Sequence, residues 1–275
     1  MTTPASRELS LPGATLRYQI GGSGPAVVLV HGFGLDMRMW TPQFAELCRE
    51  FTVVQYDCRG FGSSGQFDPA VPYTHAGDLV ALLDHLSLDS ATIIGLSFGG
   101  RVALQTALAG PGRVDALVLL DAVLDGVPWD AESKAGMAEV SRQVATGGVA
   151  AGRAAWLAHP LFAAARQDPV LEEQLAAMVA DYPGQHWLGS DPHLPDDPPP
   201  IQALEQITTP ALVVVGENDV PGFLQMSDVL AHRLPAAEHV VVPNAGHMVS
   251  MEQPEQVNAV IREFLRRQRQ VPTAH

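Results

Sequence analysis

The sequence predicts an α/β protein: a mostly parallel, doubly wound sheet of about eight strands, with a helical cap inserted between core strands six and seven. Three observations carry this. Short apolar runs rich in β-branched residues recur along the 275 residues, the pattern of strands buried on both faces. Stretches with helical periodicity separate them, so strand and helix alternate. The alternation fails only between about residues 125 and 205. The expected division is therefore a core of residues 1–124 and 206–275 and a cap of residues 125–205.

The elements follow in order. "RELSL" and "TLRYQI" alternate in polarity around Pro12-Gly13 and read as an antiparallel hairpin at a sheet edge. "PAVVLVH" (25–31) is a continuous apolar run, and "FTVVQYD" (51–57), "ATIIGLS" (91–97), "DALVLLD" (115–121), "ALVVVG" (211–216) and "EHVVVP" (238–243) repeat it. Helices are expected at roughly 39–49, 74–87, 98–110, 222–234 and 254–269. The interrupting segment shows helical periodicity in "AESKAGMAEVSRQVA" and "DPVLEEQLAAMVADY". It closes on "DPHLPDDPPP", which reads as a stiff return linker.

Composition bounds the function. Apolar residues make up 47% and charged residues 17%, the profile of a folded globular protein. A net charge of −14 repels phosphate backbones and anionic lipid surfaces, so neither nucleic acid nor membrane is an expected partner. The two cysteines, Cys48 and Cys58, are too few for a disulfide framework and read as reduced packing residues. "MTTPASRELSLPG" has no basic stretch followed by an apolar one, and no apolar run approaches the ~18 residues of a membrane span. A soluble, cytoplasmic protein is the expectation, and association as a homodimer stays open. With no H-E-x-x-H and no Cys/His cluster, neither metal nor cofactor is expected.

The stretch that carries chemistry is Gly95-Leu96-Ser97-Phe98-Gly99, a G-x-S-x-G between a buried strand and a helix. A serine on so sharp a turn holds its hydroxyl above the sheet edge, and glycines two residues either side leave room for neighbouring chain. The turn also aims the first helix amides at the reacting centre. A serine hydroxyl needs a base. His247 stands after the last strand and Asp219 after the preceding one, in the chain order Ser…Asp…His. Asp121 also ends a core strand and is the alternative acid. Glu217 is expected to point outward.

These motifs resemble the α/β-hydrolase superfamily over nearly the whole chain, from "PAVVLVHGFG" to "FLRRQ". The matches are His31-Gly32-Phe33-Gly34, Asp57 through Ser64, the Ser97 turn, Gly216-Glu217-Asn218-Asp219 and Gly246-His247. The resemblance implies that Ser97 is the nucleophile, that His247 is general base and then acid, and that Asp219 orients the imidazole. It places the oxyanion hole at the backbone N–H groups of Phe33 and Phe98. His31 then reads as a structural hydrogen-bonder, and Arg59 as one arm of a buried salt bridge. His75, His85, His232, His239 and His275 read as surface or terminal residues. His159, His186 and His193 lie in the inserted segment, within possible reach of a pocket.

In that superfamily haloalkane dehalogenases and epoxide hydrolases carry an aspartate where Ser97 stands, so the resemblance implies acyl transfer here instead: esters, lactones, thioesters, or carbon–carbon bonds beside a ketone. The motifs look most like the serine esterase/lactonase branch that includes 3-oxoadipate enol-lactonases, C–C bond hydrolases and cofactor-free perhydrolases. A slow-turnover ligand receptor on the same fold stays open beside them. The inserted segment should carry specificity through its aromatics, most of which fill the cap's own core. Trp129, Trp156 and Trp187, with Met248 from the core, are the candidate pocket residues. No arginine cluster stands there to hold a dicarboxylate, so the expected partner is a small, largely apolar ester or lactone.

Overall fold

A computed structural model describes residues 5–189, 191–195 and 197–270. β1 (Arg7–Leu11) and β2 (Ala14–Gly22) form the hairpin, with Leu11 opposite Ala14 and Gly13 at φ 71° in the two-residue turn. The apolar runs become β3 (Ala26–Val30), β4 (Thr52–Asp57), β5 (Ala91–Leu96), β6 (Val114–Leu120), β7 (Ala211–Gly216) and β8 (Ala237–Val242). One sheet holds all eight in the order β1-β2-β4-β3-β5-β6-β7-β8. β2 meets β4 antiparallel, and every later pair is parallel.

β8 departs from the expectation of burial on both faces. It ends the sheet, and most of its side chains are exposed or half-buried, Val241 at 52%. A β-branched run alone does not distinguish an edge strand from a central one.

Strand order sets the layers. From β3 the chain crosses through α1 (Thr41–Leu47) to β4 on one side, and then returns through α2 (His75–His85) past β3 to β5. α3 (Phe98–Ala109) and α6 (Pro221–Arg233) continue in that second direction. Right-handed crossovers therefore place α1 on one face and α2, α3 and α6 on the other. α8 (Pro254–Gln270) packs on α1, tied by ion pairs from Arg262 to Glu46 and from Arg266 to Glu50. The reversal of direction at β3 and β5 opens a crevice at the carboxyl ends of those strands, where α/β sheets bind ligands.

Between β6 and β7 stand α4 (Ala131–Leu157), α5 (Pro169–Asp181) and short 3₁₀ turns, and none of the sheet's strands. Asp130 caps α4 by accepting from the Ser133 amide, and Asp168 caps α5 through Val170 with Pro169 in the first turn. α4 runs beyond the expected 131–145 and breaks at Gly148, whose φ of 73° no helix accommodates. The segment is fastened to the core. Tyr182 and His186 stack on Phe61 at 5.1 and 4.4 Å, Gln185 bonds both backbone groups of Phe67, and Arg38 pairs with Asp181 at 2.7 Å. Among the described residues no helix is long and apolar enough to cross a membrane. Cys48 and Cys58 are free.

Candidate active site

The turn after β5 is as sharp as the glycines require. Ser97 sits at φ 55°, ψ −112°, a region that costs a non-glycine residue on the order of 1–3 kcal/mol. Its amide donates to the Leu120 carbonyl at 2.9 Å, and its own carbonyl accepts from Val123, which pins the turn to the end of β6. The flanking glycines are obligatory. A Cβ on Gly99 would lie 2.0 Å from the Val30 carbonyl oxygen, and one on Gly95 would lie 2.2 Å from the Gly99 backbone. Phe98 opens α3, so its N–H has no intrahelical acceptor.

The loop after β3 is held by His31. Its Nδ1 meets the Gly32 carbonyl at 2.8 Å and its Nε2 meets the Cys58 amide at 2.9 Å. Only a neutral ring protonated on Nδ1 satisfies both contacts, and burial lowers the His31 pKa in agreement. Asp57 accepts from the Met37 and Ser63 amides, tying the Phe33 loop to the 60–64 loop. Burial, with Asp36 close by, pushes Asp57 up to about 7. Arg59 forms a bidentate pair with Asp78, both bonds 2.8 Å, in the interior.

Asp219 follows β7 and His247 follows β8. His247 Nδ1 and Asp219 Oδ2 are 2.9 Å apart, both side chains buried, and Asp219 Oδ1 accepts from the Val220 amide at 2.7 Å. Phe223 packs across the imidazole at 4.2 Å. Glu252, from the short helix α7 (Val249–Glu252), brackets the histidine loop by accepting from the Gly246 and Met248 amides at 2.7 and 3.0 Å. Glu252 was not singled out in the sequence. Its one signal there is an acidic residue a turn beyond His247.

Ser97 and His247 line one small cavity with Gly32, Phe33, Leu35, Leu96, Trp156, Leu161, Phe162 and Met248. Its volume is about 10 Å³, room for one water-sized molecule. Trp156 and Met248 are thus at the cavity. Trp156 lies over Gly34 with its buried Nε1 unpartnered among the described residues. Trp129 and Trp187 are elsewhere. Trp129 packs on Phe223, and Trp187 packs edge-on to Tyr182 at 4.8 Å with Phe33 at 6.2 Å.

The remaining histidines sort by contact. His75, expected at the surface, is buried at 5% exposure. It begins α2 facing inward, edge-on to Phe98 and stacked on His193, and burial lowers its pKa well below the ordinary value. His159 caps a turn by accepting from Leu161 and contacts the Ser133 carbonyl, so it joins that turn to α4 beside Trp156. His85, His232 and His239 are exposed, Glu217 is exposed, and His275 lies outside the described residues. Asp121, Asp219 and His247 are the one set among the described residues whose ligand-type atoms gather within 4.8 Å of one another. The imidazole and Asp219 are already joined there by an N–H···O bond.

A family model described as the alpha/beta hydrolase family matches residues 27–260. The chain belongs to this family. A thermophilic esterase from Thermogutta terrifontis superposes with a TM-score of 0.79 at 32% identity, over 95% of this chain and 99% of that one. The enol-lactonase from Burkholderia xenovorans LB400 gives a TM-score of 0.79 at 26% identity, over 94% and 100%. A 3-oxoadipate enol-lactonase of Acinetobacter baylyi is 25% identical over 92% of this chain and 94% of its own. The two solved structures share the fold of this chain over nearly its whole length.

Proposed function

We propose that the chain is a serine hydrolase that cleaves a carboxylic ester or lactone of a small, largely apolar molecule through an acyl-enzyme. The observation that carries this is the Asp219–His247 hydrogen bond, built into the wall of the same apolar cavity that Ser97 lines. In this reading the Asp219 carboxylate holds the Nδ1–H tautomer and leaves Nε2 free to accept. His247 Nε2 takes the Ser97 hydroxyl proton as Oγ bonds to the substrate carbonyl carbon. The resulting oxyanion is met by the N–H groups of Phe33 and Phe98. Collapse breaks the bond to the leaving oxygen, which takes the proton from His247. Water then repeats the sequence on the acyl-enzyme and frees the acid.

The lining supports a neutral substrate, since beyond His247 it offers leucine, methionine and aromatic surface and no cation for a carboxylate. The esterase and enol-lactonase names of the relatives agree with acyl chemistry. A cavity of about 10 Å³ is smaller than any ester, so Trp156, Leu161 and Phe162 on the cap side must move for a substrate to reach Ser97. The segment of residues 125–205 thus acts as a lid that selects substrates. The protein acts without a metal, and soluble in the cytoplasm.

The test is turnover of p-nitrophenyl acetate, butyrate and octanoate and of γ- and δ-lactones, by wild type and Ser97→Ala, before and after dialysis against a chelator. Multiple turnovers on at least one ester or lactone are expected, unaffected by the chelator, with kcat roughly 10⁴–10⁶ lower in the variant. Single turnover on every substrate would favour a receptor, and full activity in Ser97→Ala would end the proposal.

A further inference from the structure

Asp121, the residue after β6, is the buried acid that the reaction above does not use. It adopts φ 42°, a left-handed conformation uncommon for aspartate, and its side chain is fully buried. Oδ1 accepts from the Gly216 amide at 2.8 Å. Oδ2 is reached by no N–H, hydroxyl or cation among the described residues. What stands beside it is the carboxyl of Asp219, within the 4.8 Å cluster that also includes His247.

Two carboxylates this close in an apolar interior do not both ionise. The donors decide which keeps its charge. Asp219 receives the imidazole N–H on one oxygen and the Val220 amide on the other, whereas Asp121 receives a single amide. The other charged group facing the pair is Glu252 from α7, which adds like charge. Burial, Asp219 and Glu252 together raise Asp121 well above the carboxylate range, so its Oδ2 keeps a proton and has Asp219 to give it to.

We propose that Asp121 is a positioning residue: as a carboxylic acid it donates a hydrogen bond through Oδ2 to the Asp219 carboxylate and so holds Asp219 against His247. The pattern is one acceptor toward Gly216 and one donor toward Asp219. An asparagine reproduces it, with its carbonyl oxygen on Gly216 and its NH₂ on Asp219. Alanine removes both and leaves Asp219 free to turn.

The inference rests on the reading of Ser97, His247 and Asp219 given above, and its test separates the two. The rate of Ser97 labelling by a fluorophosphonate is followed against pH for wild type, Asp121→Asn and Asp121→Ala. The imidazole resonances of His247 are titrated by NMR in the same proteins. Asp121→Ala is expected to label roughly 10- to 100-fold more slowly, since small displacements in such a site carry penalties of that size. Asp121→Asn should recover most of that loss, with the acid-limb midpoint within about 0.3 pH units of wild type, because the residue it replaces is uncharged throughout. An ionised Asp121 would instead support the imidazolium, and its removal would lower the midpoint by about one unit or more; that result overturns the proposal. So does an Asp121→Ala protein that labels at the wild-type rate. Should Asp121→Ala not fold, the Asn midpoint decides alone. If wild type itself is not labelled, the reading of Ser97 fails, and the His247 titrations still decide the state of Asp121.

Discussion

Replacing Trp156 with alanine should change both stability and selectivity, by amounts the structure sets. The indole is 4% exposed and packs edge-on to Phe33 at 5.7 Å and Phe162 at 5.4 Å, with His159 at 5.2 Å. Truncating so buried an aromatic costs about 3–5 kcal/mol. For a chain of this size each kcal/mol lowers Tm by about 2–4 °C, so a fall of about 10 °C is expected by differential scanning calorimetry. The same truncation opens a cavity of only about 10 Å³ to several methylenes. Apolar contacts discriminate by about 1–3 kcal/mol per methylene-scale change, so the kcat/KM ratio of octanoate to acetate p-nitrophenyl esters should rise at least about tenfold. Trp187→Ala, outside the residues that line the cavity, should lower Tm and leave the ratio unchanged. A Trp156→Ala protein with the lowered Tm and an unaltered ratio would show that Trp156 only packs the segment between β6 and β7 and that substrates are selected elsewhere.

Three further outcomes are expected. Asp219→Asn should keep the fold, by circular dichroism, and lose about 10⁴ in kcat through the wrong imidazole tautomer; a loss under tenfold would remove Asp219 from the triad. Gly99→Ala should yield little folded protein on expression, because its Cβ would stand 2.0 Å from a main-chain oxygen; a soluble protein of wild-type Tm would contradict the packing described. His186, largely buried against Phe61, is lowered from the usual 6.5 to about 4. Between those values the unfolded chain holds the extra proton, so this residue's contribution is intact above about pH 6.5 and is lost as the pH falls towards 4. Urea titrations at pH 7 and 4.5 should show His186→Phe losing roughly 2 kcal/mol less on acidification than wild type, discounted for the ring's residual solvent contact; an equal or greater loss refutes the assignment.

The core strands and the serine turn were legible in the sequence because each is enforced locally. Continuous β-branched runs suit burial on both faces, and Gly95 and Gly99 are required by main-chain oxygens close to where a Cβ would be. The edge position of β8 was not legible, since pairing on one side only is a property of the whole sheet. Nor was the placement of the tryptophans. Trp156 follows the break of α4 at Gly148, and Trp129 and Trp187 lie outside α4, so no single helical period relates the three to Ser97. His75 lies one residue past the cap Thr74, a surface-like position in sequence, and Phe98 and His193 pack against its ring and bury it. Asp121 and Asp219 both follow strands, and composition ranks neither. The bond to His247 at 2.9 Å distinguishes them. Asp57 opened a motif that the sequence showed, whereas Glu252 acts by accepting main-chain amides of the His247 loop, which leaves no motif to read.

Covalent capture of the nucleophile tests the account most directly. The folded protein is incubated with a fluorophosphonate, and its intact mass and peptide map are taken. One adduct per chain is predicted, on Ser97. It should be absent in Ser97→Ala and formed at least about 10³-fold more slowly in His247→Ala. A folded, monodisperse protein that takes no adduct, or takes it at another residue, would contradict the assignment of Ser97 as the reacting group.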